Sequence, residues 1–402
     1  MMLQLLKKGV RPGMVGSGRR RSSDVTALCG GLLIIVSLST DNGVSPLVGS
    51  WLESFGSTGL LGTPAYLSGL VGGLIASLYG YVLSGRRIVV LSVALALLSI
   101  VTVVAGPAWA IGAARIGVGV CAGVLLGGFL PFAKAVVDER VFGRIVALWP
   151  FAGGVASLVV PLYAKTADAG PGIRYLWLVF PVILGVGVLL LLLGGQVNDA
   201  GTENAAGSGA PAPHLAGGGW GVTWRYLLLT PSMFAGVFAA LVGASAALME
   251  RGETVGVAAL PPSLLAVGMI GSSLVVALAR PSLSLGETAR AVAVAGAVVL
   301  GLVAVGLVGG WVPVLLGAMV PAGAVFGFAV MIPGLYVAAL SDAAAARRAS
   351  SVLMLGQQAA AVVGSAAAVA CGAWVVAASA GAMAIVASMF VVGAGHRDRS
   401  QR

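Results

Sequence analysis

Long apolar stretches alternate with short polar ones along almost the whole 402-residue chain. Each stretch is hydrophobic on every helical face, which is typical of a helix in lipid, where a span satisfies its backbone hydrogen bonds internally. Because about 20 residues cross the hydrocarbon core, the pattern predicts an all-α integral membrane protein with twelve transmembrane helices. The predicted spans are 25–50, 60–83, 88–106, 108–132, 144–164 and 175–195, then 226–249, 255–279, 291–309, 311–340, 351–373 and 375–394.

A single long polar stretch, 196–224, separates the first six predicted spans from the last six. It is rich in Gly, Ala and Pro and cannot bury a core, so it is predicted to be a flexible linker. The chain then divides into tails at 1–24 and 395–402 and six-helix bundles at 25–195 and 225–394. This layout is expected when two bundles rock about a central substrate site, although sequence identity between the halves is too weak to demonstrate a repeat.

Composition supports the membrane assignment: 59% of the residues are hydrophobic, 9% are charged and the mean hydropathy is +1.04. The net charge of +10 could suggest a polyanion partner, but its distribution favours a role in membrane orientation. All but four of the 23 basic residues lie on the side of the predicted amino terminus; the exceptions are Arg115, Lys165, Arg174 and Arg251. This asymmetry predicts that both termini and the linker are cytoplasmic, and no nucleic-acid partner is expected.

Two ionisable residues within predicted spans are candidates for chemistry, because a charge at the bilayer centre costs about 2.5–3.5 kcal/mol on insertion scales. Asp41 lies in the outer half of the first span, beside Asn42 and before Pro46. Arg115 lies one-third of the way along the fourth span. One hypothesis makes Asp41 a proton-exchanging carboxylate and Arg115 the fixed charge that tunes it or holds an anionic group. The alternative is that Asp41 is solvated at the end of a shorter helix, and that Arg115 extends to the interface or forms a structural pair.

A second set of residues could line a substrate cavity: Asn42, Tyr66, Trp149, Phe234, Gln357 and Gln358. Each type is also common as a packing or interfacial residue, and that alternative stays open. The three cysteines all lie in apolar runs and are interpreted as packing residues. The two histidines lie in the linker and the carboxyl-terminal tail, so no catalytic residue, metal site or cofactor is predicted.

The loop and helix-4 motifs resemble those of the major facilitator superfamily, most closely its drug:proton antiporters, over about residues 25–394. Gly85-Arg86-Arg87 is similar to the end of the family's loop motif, with Tyr66 upstream and Val82 in the place of its Asp. Arg115-x-x-x-Gly119 resembles the helix-4 motif R-x-x-Q-G, whose Arg is assigned to proton coupling. The resemblance implies a gating role for residues 85–87, proton coupling by Arg115 and a packing role for Gly119.

The antiporter motif of helix 5, G-P-x-x-G-G, has two possible positions in this chain. Pro150-x-x-Gly153-Gly154 is similar to it but lies near the predicted cytoplasmic end. Counting from the neighbouring motifs places its proline at Pro161 instead, which makes Pro161 the predicted hinge or packing residue.

Together these features predict a proton-coupled exporter of a small, largely hydrophobic organic molecule that works by alternating access. The alternatives are an uptake symporter or an uncoupled facilitator on the same fold and, more remotely, a membrane-embedded enzyme. The expected partners are a small-molecule substrate, protons and the lipid bilayer, and a monomer is expected. The Ala/Gly/Val-rich composition suggests a GC-rich bacterial genome and hence a multi-pass protein of the inner membrane.

Overall fold

The computed structural model describes residues 25–37, 63–79, 85–104, 107–136, 139–166, 176–194, 219–253, 257, 260–278, 284–340 and 343–400. Within these ranges the chain forms helices and connecting turns, and no strand. Numbered in chain order, the helices are α1 (Val25–Ser37), α2 (Thr63–Tyr79), α3 (Gly85–Val104), α4 (Ala108–Val136), α5 (Glu139–Ala147), α6 (Trp149–Thr166), α7 (Leu176–Gly194), α8 (Gly219–Glu250), α9 (Leu260–Leu278), α10 (Leu285–Gly309), α11 (Val312–Ala339) and α12 (Ala343–Ser400).

Among the described helices, six are long and apolar enough to cross a membrane, and they belong to α3, α4, α8, α10, α11 and the second part of α12. The bent pair α5–α6 would make a seventh span if it crosses as one unit. The prediction of an all-helical chain with membrane-length apolar helices is therefore confirmed. The count of twelve spans stays a prediction, and residues 38–50 of the first predicted span lie outside the described ranges.

The fifth predicted span, 144–164, is divided into α5 and α6, which meet at an angle of 42° at Leu148. The Leu148 N–H still donates to the Arg144 carbonyl at 2.9 Å, and the Ala152 N–H donates to the Leu148 carbonyl at 3.0 Å. Between these bonds, Pro150 has no N–H to donate to the carbonyl one turn earlier, and a proline ring crowds that carbonyl. The bend is therefore explained by the sequence, and it places Trp149 at the start of α6.

The last two predicted spans are joined in α12, which runs from Ala343 to Ser400 with a break at Cys371. There the backbone has φ −153° and ψ 40°, which is not helical. The break falls beside Gly372 and close to the predicted boundary at residue 374.

The described helices form two groups, each with its own buried apolar cluster. The first cluster is made by α1, α3, α4, α5, α6 and α7 and includes Phe129, Phe142 and Phe180, with Met354 of α12 added. The second cluster is made by α8 to α12. Trp149 packs against both clusters. We call α1–α7 the first bundle and α8–α12 the second bundle.

Both bundles contain close helix crossings that depend on glycine, and one in each bundle lies next to the contact between the bundles. In the first bundle a Cβ atom on Gly123 of α4 would collide with the Gly69 carbonyl of α2. In the second bundle a Cβ atom on Gly323 of α11 would collide with the Leu265 carbonyl of α9. Small residues let helix backbones approach this closely in membranes. The two bundles therefore share a packing device that their sequences do not reveal as a repeat.

The bundles contact each other mainly through two pairs of helices, α2 with α12 and α6 with α9. Smaller contacts join α4 to α12, α5 to α9 and α11, and α6 to α11. A Cβ atom on Gly69 of α2 would lie 3.6 Å from Gln358 Oε1 of α12. A Cβ atom on Gly154 of α6 would lie 2.9 Å from the Ala266 carbonyl oxygen of α9. We call this inter-bundle contact the seam. Its two main pairs include α2 and α9, which also take part in the glycine crossings described above.

Candidate functional site

A small chamber lies in the seam, with walls that come from both bundles. Its position is toward the end of the molecule where α4 and α11 finish and α12 begins. The space inside is about 10 Å³ for the centre of a water-sized sphere, which is roughly enough for one water molecule. The described lining residues are Leu130, Val146, Trp149, Val330, Gly334, Leu353, Met354 and Gln357. None of these eight side chains carries a charge.

Trp149 is held in the chamber wall by the bend that starts α6. Its ring meets the ring of Phe129 on α4 edge to face, with the centroids 6.0 Å apart and an interplanar angle of 68°. Edge-to-face pairs of this kind add to the stabilisation from area burial. The large apolar surface of Trp149 is thus fixed at the point where the two bundles meet.

Gln357 is the polar residue of the chamber, and only 6% of its surface is exposed. Its Nε2 atom is buried and has no hydrogen-bond partner within the described part of the chain. Leaving a buried donor unpaired costs about 1–3 kcal/mol. The cost of burying the Gln357 amide is therefore not offset by a hydrogen bond to any described residue.

Gln358, the next residue of α12, lies at the neighbouring contact of the seam instead. Its Oε1 and Cγ atoms lie 3.6 and 3.9 Å from Cβ positions built on Gly69 and Gly73 of α2. Successive residues of a helix project about 100° apart, so one glutamine faces α2 while the other faces the chamber. The structure thus brings Trp149 and Gln357 together and places Gln358 against α2.

Phe234 lies in a separate aromatic group between α8 and α11. Its ring centroid is 4.7 Å from that of Phe326 and 5.7 Å from that of Phe238. Phe234 is half-buried, packs against the core of the second bundle and is not among the described lining residues of the chamber.

Arg115 is buried in the first bundle, with 3% of its surface exposed. The side chain takes part in a polar or electrostatic interaction. This burial argues against the alternative in which Arg115 extends to the surface of the bundle. Along α4, Arg115 is about 22 Å from Leu130 at 1.5 Å per residue, so it does not adjoin the chamber.

Gly119 lies one turn beyond Arg115, and its carbonyl oxygen is 3.6 Å from a Cβ position built on Gly69. Gly119 thus lies at the α2–α4 crossing. Within α6 the close approach to α9 is made at Gly154. Pro161 lies in the same helix, and its side chain is outside the described part of the chain.

The loop-motif residues lie at the start of α3, which begins at Gly85. Arg87 is exposed and takes part in a polar or electrostatic interaction. The side chains of Arg86 and of Tyr66 in α2 are outside the described part, and so are Asp41 and Asn42 altogether. The spatial relation between Asp41 and Arg115 therefore stays a prediction.

Sequence reasoning missed most of the chamber wall, namely Leu130, Val146, Val330, Gly334, Leu353 and Met354. Apolar residues of these types fill every predicted span, so no local signal distinguishes them. Among the described residues there is also no group of three or more His, Cys, Asp or Glu that could hold a metal ion.

Comparison with solved structures identifies the fold. The chain is similar to the proton:xylose symporter XylE, a major facilitator superfamily protein, at 15% identity, with a TM-score of 0.64 over 94% of this chain and 95% of that one. It is also similar to the human organic anion transporter MFSD10 at 15% identity and TM-score 0.65, over 93% and 98% of the two chains. The E. coli fucose:proton symporter FucP matches at 12% identity and TM-score 0.57, over 91% and 98%.

No family model matches the sequence, and no curated protein is significantly similar to it. The chain therefore has the fold of major facilitator superfamily transporters, as the motif resemblance implied. At these identities the likeness establishes the fold, and the antiporter subtype stays a prediction.

Proposed function

We propose that this protein is a secondary transporter of a small, largely hydrophobic organic molecule, working by alternating access of its two bundles. The observation that carries this proposal is the chamber in the seam, lined from both bundles and almost wholly apolar. With room for about one water molecule, it cannot admit an organic substrate while the seam is closed. Entry then requires the bundles to separate, which is the motion that repeated bundles use for transport.

In its finer form the proposal is proton-coupled export. Asp41 would exchange protons, and Arg115 would couple that exchange to substrate occupancy. The burial of Arg115 supports a functional role, because a guanidinium cannot shed its charge to avoid the cost of leaving water. A distance of about 22 Å from the chamber wall requires that its influence reach the substrate through the movement of α4 rather than by contact.

An uptake symporter or an uncoupled facilitator fits the same fold equally well. Two of the similar solved structures are described as proton symporters, and the third as an organic anion transporter. We place the protein in the bacterial inner membrane as a multi-pass monomer with both termini cytoplasmic, on the strength of its charge distribution and composition.

The proposal is tested in everted membrane vesicles from cells that express the chain, with radiolabelled chloramphenicol as the probe. For an exporter, an acidic vesicle interior increases accumulation of the probe above that in vesicles from cells without the chain. Arg115→Gln removes the dependence on the gradient, with a loss of roughly tenfold or more. Arg290→Gln is the matched control, since Arg290 is exposed on α10.

The direction of the response distinguishes the alternatives. Accumulation driven only by the opposite gradient identifies an uptake symporter, and counterflow that ignores both gradients identifies a facilitator. Gradient-driven accumulation that Arg115→Gln leaves intact would overturn the coupling role of Arg115.

A further inference from the structure

We propose that Gln357 is the substrate-binding donor of the chamber and that it restricts the substrate to uncharged molecules carrying a hydrogen-bond acceptor. This inference rests on the proposed transport function and adds to it the chemical class of the substrate. Two observations carry it: the buried amide nitrogen without a described partner, and the position of its side chain in the chamber wall.

The amide can serve a ligand because no described side chain occupies it. Two other polar groups within the bundles are paired: Thr230 Oγ1 donates to the Ala329 carbonyl at 2.6 Å, and Ser37 Oγ donates to the Phe180 carbonyl at 2.9 Å. Both bonds tie helices together. The buried hydroxyls of Ser273 and Ser350 also have no partner among the described residues, but they are not among the described lining residues of the chamber. Gln357 makes no such bond within the described ranges, so a packing role does not account for its amide.

Gln358 and Gly356 fix the orientation of Gln357. On one side Gln358 lies against the glycine face of α2. One residue before, a Cβ atom on Gly356 would lie 2.8 Å from Pro231 Cγ of α8. These contacts on both flanks limit the rotation of α12. Packing therefore holds the Gln357 side chain toward the chamber. A binding group that is held in this way does not have to reorganise when a ligand binds.

The chemistry of the chamber wall decides which ligands can bind at the Gln357 amide. An Nε2 donor needs an acceptor oxygen, such as a carbonyl, ether or hydroxyl group. Apart from Gln357, the wall offers the aromatic face of Trp149 and aliphatic side chains. A lipophilic cation would find no counter-ion among the described lining residues and would meet the positive end of the amide dipole. Neutral ligands that pair an apolar body with one acceptor are favoured.

The test uses purified full-length protein in liposomes and two radiolabelled probes. Chloramphenicol is neutral and carries acceptor oxygens, whereas tetraphenylphosphonium is a lipophilic cation without an acceptor. We expect the unmodified chain to transport chloramphenicol with a kcat/KM at least about tenfold above that for tetraphenylphosphonium. Gln357→Leu reduces kcat/KM for chloramphenicol at least about tenfold, through KM more than kcat.

Gln357→Glu provides the sharper comparison, because it keeps the shape of the side chain and replaces the donor by acceptors. This variant loses chloramphenicol transport and gains tetraphenylphosphonium transport. A purely structural role for Gln357 would reduce both probes together and would not reverse the preference. Ser388→Glu, at an exposed position of the same helix, is the control for the added carboxylate, and the preference for chloramphenicol is expected to survive there.

A separate readout distinguishes failure of this inference from failure of the proposed function. In a chain whose native cysteines are replaced by serine, Gln357→Cys is treated with a membrane-impermeant thiol reagent from each side in turn. Reaction from either side shows that the seam opens to water at this residue. If the cysteine reacts but both probes are moved equally, or neither is moved, the substrate class is wrong while alternating access stands. If it reacts from neither side and no probe is moved, both proposals are overturned.

Discussion

The absence of a Cβ atom at glycine allows α2 to approach α4, and α9 to approach α11, so closely. At Gly123 and Gly323 a single added carbon would meet a main-chain carbonyl of the facing helix. Backbone atoms cannot move aside as the end of a flexible side chain can, so any substitution must push the helices apart. Even the smallest substitution, to alanine, is therefore expected to disturb the packing at these crossings.

Gly123→Ala is expected to destabilise the protein by about 1–3 kcal/mol, the usual cost of overpacking a well-packed contact. Gly185→Ala on α7 is the matched control, since nothing lies within 4 Å of a Cβ atom there. Because alanine is the better helix former, that variant should be neutral or slightly stabilised. Thermal unfolding in detergent, followed by circular dichroism, measures both. Equal melting temperatures for the two variants would contradict the close crossing.

Individual residues also show where prediction from sequence stops. The sequence singled out Trp149 and Gln357 because aromatic and amide side chains are unusual in apolar spans, and the structure brings both to one chamber. It also singled out Phe234, which lies in a different aromatic group. Residue type suggests which side chains could do chemistry, but only tertiary packing decides which of them meet.

The sequence predicted the positions of the helices better than it predicted the contacts between them. The length of the apolar runs alone predicted α3, α4, α8, α10 and α11. Most of the observed helix ends lie within a few residues of the predicted ends. Run length did not anticipate the division between α5 and α6, because the apolar run continues across Leu148 and hydrophobicity is insensitive to a missing N–H. The signal that could have revealed it is Pro150, since proline inside a helix interrupts the hydrogen-bond ladder.

The bend between α5 and α6 is predicted to be necessary for transport. Pro150→Ala restores an N–H and lets the helix straighten, which would move Trp149 out of the chamber wall. We expect the rate of chloramphenicol transport to fall roughly tenfold while the melting temperature is unchanged or raised. The hydrogen-bond ladder continues across Leu148, so Pro150 acts as an interior proline of the bent pair, which costs a helix about 3 kcal/mol. Transport at the normal rate would show that the bend has no role in the site.

Pro313→Ala is the control for this variant. Pro313 lies in the first turn of α11, where a helix has no partner for the N–H group. Its replacement should leave both transport and melting temperature close to those of the unmodified chain.

The whole molecule consists of two bundles that meet along the seam, and this arrangement is the part of the fold that the sequence supported least. The linker at 196–224 suggested a division into halves, but the pairing of α2 with α12 and of α6 with α9 joins residues far apart in the chain. No periodicity in the sequence encodes such pairing. The likeness to solved transporters at TM-scores of 0.57 to 0.65 supports the arrangement as a whole.

We propose that the bundles separate along the seam in each transport cycle. A disulfide across the seam tests it, in a chain whose native cysteines are replaced by serine. Gly73→Cys on α2 and Gln358→Cys on α12 are suited to this, since a Cβ atom on Gly73 would lie 3.9 Å from Gln358 Cγ with no other facing atom within 4 Å, which brings the two cysteines within reach of a disulfide. The control pair Gly243→Cys and Gly372→Cys joins α8 to α12 within the second bundle, where Cβ positions lie 3.7–3.9 Å from the facing Cα atoms.

The decisive measurement is the rate of chloramphenicol transport by the cross-linked Gly73→Cys/Gln358→Cys protein before and after reduction. We expect transport to stop when this disulfide forms and to return when it is reduced, whereas the cross-link within the second bundle leaves the rate unchanged. Transport at the full rate with the seam cross-linked would contradict alternating access of the two bundles.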